Sequence, residues 1–283
     1  MKLYPIIYTE GARTAEESLE KGIFAYLQPG MYPKVILVSG DRLLQAIESV
    51  KKKTGLEYDP SKDVDGNNRF FARVENIAGK RAIVGSVSFH KDDSAKLYNS
   101  EKDLYKVDSS AGVASFGPLA YQIVMYVIQS SWLMSDESLK PASHRVWKNM
   151  YKLSEQGVYE RKFLGEYSID LIYERYIGTV PSKFMRYVES VENGTIPGNE
   201  ENFLEWLRTV LPEEKPENFG QFWAYRKTSH DPKIKALFDK GNEFIQRLQT
   251  ERNIQEPTDV ARELITRSAS SFFSRLYGSA ASD

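Results

Sequence analysis

The sequence predicts a mixed fold of the α/β or α+β class, in which a mixed sheet is flanked by helices and followed by a C-terminal helical extension. Residues 35–38 form the apolar run VILV, which is typical of a buried strand. Residues 107–151 have the pattern of a strand, a small-residue loop, a helix, a short strand and a helix. Beyond residue 165, apolar residues recur at helical spacing.

Bulk composition narrows the classes of function. The chain has 283 residues, 41% of them hydrophobic, which is enough for one large domain or two modest ones. A formal net charge of −1 excludes a positive field over the whole chain that would draw it to nucleic acid or an anionic membrane. The absence of Cys excludes disulfides and suits a reducing cytoplasm. Because no segment approaches the roughly 20 apolar residues of a membrane span, we expect a cytoplasmic protein without a membrane partner.

The N-terminal elements are predicted to alternate between helix and strand. Thr14 and Glu17 have the spacing of a capping box, and apolar residues that recur every four positions predict a helix over residues 14–27. A strand is expected over residues 31–39. Asp41 is a candidate cap for an amphipathic helix that follows this strand.

The middle of the chain is predicted to open with a β-hairpin. Residues 69–77 and 81–90 are rich in residues that favour strands, and they flank a turn at residues 78–80. In the second run, the residues on both faces are small or apolar, as in a central strand. A third strand is expected to start at Leu104. The segment over residues 119–128 is apolar nearly all round, which predicts a helix buried against the sheet.

Three further elements complete the middle of the chain. We expect a brief strand over residues 131–134, an amphipathic helix over residues 141–153 and a final strand over residues 158–164. After these, residues 166–191 are rich in Tyr and charge and are predicted to be helical, and residues 203–210 are predicted to form a short helix.

These elements divide the chain into three parts. We predict an N-terminal α/β portion at residues 1–59, a core at residues 60–165 and a helical extension at residues 166–283. In the extension, Asp231 and Thr258 are candidate caps of two helices with apolar stripes. Such stripes indicate packing against the core and carry no chemistry.

One segment of the sequence points to a ligand. Small residues over positions 109–117 precede Pro118, which suits the first turn of a helix. They leave backbone N–H groups uncovered at a positive helix end, and this arrangement can hold a phosphate. A tight strand-to-helix turn, in which small residues only let helix and sheet approach, accounts for the same pattern.

The order of elements from residue 69 to residue 164, with Gly117 where the loop becomes a helix, resembles the core of the GNAT-fold acyltransferases. More narrowly, residues 116–151 look like a GNAT-like family common in bacteriophage genomes. The residues that carry the likeness are Gly117, Pro118, Leu119, Tyr121, Leu133, Asp136, Ala142, Val146 and Trp147.

The resemblance implies a phage-encoded N-acyltransferase that uses acetyl-CoA or another acyl-CoA, located in the host cytoplasm or in the virion. The acceptor amine is left open between a protein, a small molecule and a nucleic-acid base. The residues that the resemblance places against the acyl donor are Val107, Ser109, Ser110, Gly112, Ser115, Phe116, Gly117 and Leu119. A backbone N–H near Val107 would polarise the thioester carbonyl.

Three side chains are candidates for proton transfer. By the resemblance, Tyr151 donates a proton to the departing thiolate, Asp136 orients or deprotonates the acceptor, and Glu75 on the hairpin acts as a base through water. Each also has an ordinary explanation. Tyr151 is then a helix aromatic with a solvated hydroxyl, Asp136 a helix cap or Asx-turn residue, and Glu75 an exposed residue at a strand end.

Two other functions compete with acyl transfer. The loop lacks the basic residue usual in the family, which favours a non-catalytic binding or virion protein that contacts a partner through its helical extension. A GNAT-like enzyme that modifies nucleic-acid bases is the other. The gap between the strands at Val107 and Leu133 discriminates between active and inactive forms. An open gap supports a slot for the donor, whereas a gap filled by Phe116, Trp132 or Trp147 supports the inactive form.

The remaining motifs concern metals and nucleic acid. The three His residues lie far apart without metal-ligand spacing, so we expect no metal. Residues 219–227, FGQFWAYRK, interleave aromatic and basic residues as single-strand stacking platforms do. A hydrophobic anchor that joins the extension to the core is the alternative explanation of this run.

Overall fold

The computed structural model describes residues 13–79, 81–92, 104–113, 115–129, 131–135, 141–166, 181–198, 202, 205–206, 221–227, 229–252 and 257–277. The helices within these residues are α1 (Ala15–Glu20), α2 (Gly40–Thr54), α3 (Asn68–Ala78), α4 (Gly117–Val127), α5 (Pro141–Glu155), α6 (Pro181–Glu192), α7 (Lys233–Arg252) and α8 (Pro257–Tyr277). The strands are β1 (Ile23–Gln28), β2 (Lys34–Ser39), β3 (Ile83–Lys91), β4 (Leu104–Gly112), β5 (Trp132–Met134), β6 (Glu160–Glu166) and β7 (Gln221–Arg226).

The described strands form one mixed sheet in the order β1-β2-β3-β4-β5-β7-β6. Strand β4 pairs with β5 in parallel, and α4 makes the crossover between them. The pairs β1–β2, β2–β3, β5–β7 and β6–β7 are antiparallel. The prediction of a mixed α/β fold with a mixed sheet is therefore confirmed.

The chain divides into two compact units. Unit 1 comprises Met1–His90, Ser109–Val127 and Ser229–Asp283, and unit 2 comprises Lys91–Asp108 and Ile128–Thr228. These bounds differ from the sequence-based division at residues 59 and 165, because α7 and α8 belong with the N-terminal elements. The extents of the three sequence-based domains stay a prediction.

In unit 1, helices α2, α3, α7 and α8 pack against each other and against β1 and β2. Their apolar stripes meet one face of the strands in a cluster that we call the unit 1 core. Its most deeply buried members include Phe24, Ile36, Val38, Leu43, Val50, Phe71, Val74, Ile83, Leu248, Leu264 and Ile265. Burial of these apolar side chains is the main stabilising contribution in this unit.

The first helix is shorter than predicted. Thr14 and Glu17 form the expected capping box, in which the Glu17 N–H donates to Thr14 Oγ1 at 3.0 Å and the Thr14 N–H to Glu17 Oε2 at 3.1 Å. The helix ends at Glu20, because Gly22 adopts a φ of 69° that continues no helix. The prediction of one helix over residues 14–27 is wrong beyond this point, where β1 begins at Ile23.

The predicted hairpin over residues 69–90 is wrong in its first half. Residues 68–78 form helix α3, which buries Phe70, Phe71 and Val74 in the unit 1 core. These residues recur at helical spacing, and contact with α2 and α8 favours the helix over the strand preference of its aromatic and β-branched residues. The second half of the prediction is confirmed as strand β3.

The polar loop before α3 is organised by one buried side chain. Asn67 is 4% exposed, and its amide donates to the carbonyls of Asp59, Lys62 and Asp63 at 2.9–3.1 Å. Its Oδ1 accepts the Asp59 N–H at 2.8 Å. Hydrogen bonds from the Lys62 side chain and from Ser61 lower the pKa of Asp59 from 3.8 to about 2.

Most other predicted elements are confirmed. Helix α2 follows strand β2 and ends at Gly55, which has a φ of 69°. Strand β4, helix α4, strand β5, helix α5 and strand β6 occur in the predicted order. Helix α6 overlaps the predicted segment 166–191 and ends one residue beyond it, at Glu192, whereas residues 167–180 lie outside the described part. The same holds for most of the short helix predicted over residues 203–210.

In unit 2, helix α5 packs on β6, which is paired antiparallel with β7. Trp147 of α5 is 3% exposed and lies 5.9 Å from the ring of Tyr225 on β7. The strand β7 falls within the FGQFWAYRK run, for which the sequence analysis predicted no strand. Alternation of Trp223 and Tyr225 with Ala224 and Arg226 is the period-two signal that was available.

Candidate functional site

The small-residue loop joins β4 to α4 through a tight turn. The Phe116 N–H donates to the Val113 carbonyl at 3.1 Å, which closes the turn. Ser115 within it has a φ of 72°, a conformation that L-residues other than Gly and Asn adopt at a cost. Ser115 is exposed and Phe116 is buried. The turn thus exposes Ser115 to solvent, although its carbonyl accepts a hydrogen bond from the Arg13 N–H at 3.2 Å.

Two glycines of the loop have different roles. A Cβ on Gly112 would lie 2.6 Å from the Gly117 nitrogen and 2.8 Å from its Cα, so only Gly fits where the strand end meets the helix start. A Cβ on Gly117 would meet nothing within 4 Å. The close-approach explanation therefore holds for Gly112, whereas the space beside Gly117 is open.

The start of α4 carries backbone donors without protein acceptors. The N–H groups of Ser115, Gly117 and Leu119 find no hydrogen-bond acceptor among the residues that the structure describes. Pro118 has no N–H, and the first helical bond runs from the Ala120 N–H to the Phe116 carbonyl at 3.1 Å. Such donors, together with the positive end of the helix dipole, suit an anionic group.

The serine hydroxyls of β4 are engaged within unit 1. The Oγ atoms of Ser109 and Ser88 are 2.7 Å apart, which ties β4 to β3. The Tyr121 hydroxyl donates to Ser110 Oγ at 2.8 Å, which ties α4 to β4. Contact of a ligand with Ser109 or Ser110 would therefore involve the backbone more readily than these hydroxyls.

The parallel ladder of β4 and β5 is short. It pairs Leu104 with Trp132 and ends where Lys106 pairs with Met134. Val107, the next residue of β4, is 3% exposed. The predicted polarising N–H near Val107 therefore lies just beyond the last pair of this ladder.

The three side chains proposed to fill the gap at Val107 each contact another neighbour. Phe116 lies over Gly85 of β3, where a built Cβ would be 3.5 Å from the Phe116 Cβ. The guanidinium of Arg226 stacks over Trp132 at 4.5 Å. Trp147 packs on Tyr225.

Two of the candidate proton-transfer residues belong to different units. Tyr151 is half-buried on α5 in unit 2, and its ring is covered by the Arg161 guanidinium at 4.4 Å. Glu75 lies in helix α3 of unit 1, not on a hairpin, so the expected strand-end position is corrected. Asp136 lies outside the described residues.

A group of side chains that was not predicted from the sequence lies on one face of the antiparallel pair of β6 and β7. We call it the Arg161 platform and define it as Tyr151, Arg161, Phe163 and Trp223. Arg161 lies 4.4 Å from the ring centroid of Tyr151 and 4.8 Å from that of Trp223, and Phe163 lies 5.3 Å from Trp223. Period-two alternation along β6 was the available signal, since Arg161 and Phe163 share a face.

An open groove of about 840 Å³ lies between α2 and α7 in unit 1. Its walls carry both signs of charge, including Glu48, Lys52 and Lys53. Asp41 and Arg247, also in its lining, approach within 3.9 Å of each other. With two acidic and three basic residues, all partly screened by solvent, the groove has no strong preference for an anion or a cation.

No protein family matches the chain, and no curated protein or solved structure shows significant similarity to it. Within the described residues, no group of three or more His, Asp or Glu side chains is arranged to hold a metal ion. None of the described helices combines the length and apolar character needed to cross a membrane. The function is therefore inferred from the geometry of the β4–α4 loop and of the Arg161 platform.

Proposed function

We propose that the protein is an acyl-CoA-dependent N-acyltransferase of the GNAT type. The observation that carries the proposal is the set of three N–H groups, on Ser115, Gly117 and Leu119, that have no acceptor among the described residues at the start of α4. The element order strand, loop, helix, strand, helix and strand from β4 to β6 supports it, as does the parallel pairing of β4 with β5.

The loop residues fit a diphosphate group. The Cα of Gly117 faces open space and Ser115 is exposed, so an anion can approach the turn at these two residues, whereas Leu119 is fully buried. The loop lacks a basic side chain, so backbone N–H groups and the helix dipole would supply all of the attraction. We therefore expect weaker binding of the donor than a loop with an added Arg would give.

When bound, an acyl-CoA supplies a thioester carbonyl that an amine can attack with loss of the thiolate. In this proposal the backbone N–H near Val107 hydrogen-bonds the carbonyl oxygen, Asp136 accepts the proton that the attacking amine loses, and Tyr151 donates a proton to the departing thiolate. The acceptor amine belongs to a protein, a small molecule or a nucleic-acid base. Location in the cytoplasm or in a virion belongs to the same proposal.

Thermal unfolding with acetyl-CoA or free coenzyme A tests the proposal. A ligand at about 100 times its Kd adds about 2.7 kcal/mol and raises the Tm by a few degrees. Ser115→Glu places a negative charge beside the three donors and should abolish the shift. Ser115→Gln is the matched neutral control, with the same backbone strain and nearly the same size, and should retain it.

Two outcomes contradict the proposal. If millimolar coenzyme A and acetyl-CoA leave the Tm of the wild-type protein unchanged, the loop does not hold this donor. If both Ser115 variants retain an equal shift, the donor binds elsewhere. A non-catalytic binding protein would then be the better description, because the loop already lacks the family's basic residue.

A further inference from the structure

The Arg161 platform presents an aromatic ring and a fixed cation on one surface of unit 2. Phe163 is 46% exposed although its ring lies only 5.3 Å from that of Trp223. In β6, the outermost strand of the described sheet, Phe163 is two residues from Arg161. The aromatic face and the cation are therefore accessible along one sheet edge.

The charge of Arg161 is not neutralised by the described part of the chain. No carboxylate among these residues lies within 4 Å of its guanidinium, which instead stacks on Tyr151 and Trp223. Arg226 on the neighbouring strand differs, because it stacks on Trp132 and is also paired with Glu160. Two rings thus hold the guanidinium of Arg161, an exposed residue whose charge is available to an anion.

We propose that the Arg161 platform binds single-stranded nucleic acid, with a base stacked on Phe163 and a neighbouring phosphate on Arg161. An exposed ring beside a stacked guanidinium is the arrangement by which proteins hold unpaired bases. A duplex keeps its bases inside the helix and cannot offer a face to Phe163. The platform shares Tyr151 with the proposed acyl-transfer site, but binding of a base at Phe163 in unit 2 does not require acyl-CoA at the β4–α4 loop in unit 1.

Fluorescence anisotropy of the full chain with a labelled oligothymidylate of about 12 nucleotides tests the inference. Phe163→Leu keeps an apolar side chain on the strand but removes the aromatic face, and should weaken binding about tenfold. Phe163→Trp should retain binding. Tyr32→Ala is the matched control, because Tyr32 is an aromatic residue 52% exposed in unit 1.

The salt dependence of Kd measures the contribution of Arg161 to binding. Arg161→Ala should reduce the slope of log Kd against log salt by about 0.7, the value for one phosphate contact to a single strand. Arg161→Lys should keep the slope and still bind more weakly, because an ammonium does not stack between two rings. Arg262→Ala, at an exposed Arg of α8, should leave both quantities unchanged.

Several results would overturn the inference. One is no anisotropy change at about 100 µM protein in low salt, which is within the range of even non-specific binding. Another is binding that is unaffected by Phe163→Leu, since charge alone would then explain it. A duplex of equal length that binds as tightly, or polyglutamate that competes as well as unlabelled oligothymidylate, would also exclude base stacking.

Discussion

Phe71 in the unit 1 core and Phe163 in the Arg161 platform have similar ring neighbours and opposite exposure. Phe71 lies 5.5 Å from the Phe70 ring, has the Arg267 guanidinium 5.3 Å from its centroid and is 1% exposed. Phe163 lies 5.3 Å from Trp223 and is 46% exposed. Ring contacts alone therefore do not distinguish a stabilising aromatic residue from one available to another molecule. The exposed fraction of the side chain makes this distinction.

The largest expected effect contrasts these two residues directly. Phe71→Ala should lower the free energy of unfolding by about 3–5 kcal/mol, because it removes buried area and leaves a cavity. Phe163→Ala should change it by no more than about 0.5 kcal/mol, as at ordinary surface positions. Urea denaturation of both variants measures the difference. Equal losses would show that Phe163 belongs to a buried core.

A second variant probes how closely the unit 1 helices approach the sheet. A Cβ on Gly241 of α7 would lie 2.9 Å from the Ala25 carbonyl oxygen and 3.2 Å from Phe24. Gly241→Ala should therefore cost about 1–3 kcal/mol, despite the better helix propensity of Ala. Gly117→Ala, with open space around its Cβ, is the control and should be nearly neutral. A stabilised Gly241→Ala protein in chemical denaturation would contradict the close approach.

A smaller effect is expected at the start of unit 1, where hydrogen bonds matter more than burial. Thr14→Ala removes the side chain that caps α1 and should cost about 1 kcal/mol. Thr14→Ser keeps the hydroxyl and should restore most of this loss. The comparison requires only the Tm of the three proteins. An unchanged Tm in Thr14→Ala would mean that α1 contributes little to the folding of unit 1.

The smallest effect concerns pH. Because the pKa of Asp59 is lowered from 3.8 to about 2 on folding, its stabilising contribution is complete above about pH 4 and is lost as pH falls through about 2. Asp59→Asn should therefore lower the Tm slightly at pH 6 and bring it level with the wild type near pH 2. A Tm difference that is constant between pH 6 and pH 2 would contradict this assignment.

Helix α3 and strand β1 show where sequence patterns are ambiguous. The run RFFARVENI is rich in residues that favour strands, yet Phe70, Phe71 and Val74 also have helical spacing, and packing on α2 and α8 decides in favour of the helix. The opposite mistake was made at β1, because apolar residues that recur every four positions predicted that the first helix continues through Gly22. The left-handed backbone of that residue ends α1, and conformation of this kind is not encoded in hydrophobic periodicity.

For the candidate site, the sequence predicted the loop and the start of the helix. It did not predict which hydroxyl and N–H groups already have a hydrogen-bond partner in the protein. The small residues before Pro118 predicted a strand-to-helix turn, and the structure has one. Whether Ser109 uses its hydroxyl for a ligand or for Ser88 depends on the neighbouring strand, which only the fold provides. The same limit applied to Arg161, since the two rings that hold it come from α5 and β7.

The position of α7 and α8 in unit 1 has a consequence for synthesis of the chain. Strands β1 and β2 leave the ribosome before α7 and α8, but one apolar face of these strands is completed by residues of these two helices, including Phe244, Leu248 and Leu264. During elongation that face lacks its cover, and contacts between distant segments form slowly. Unit 1 therefore closes its core only after α7 and α8 have been synthesised, and a nascent chain stalled before α7 would expose the face to chaperones and proteases.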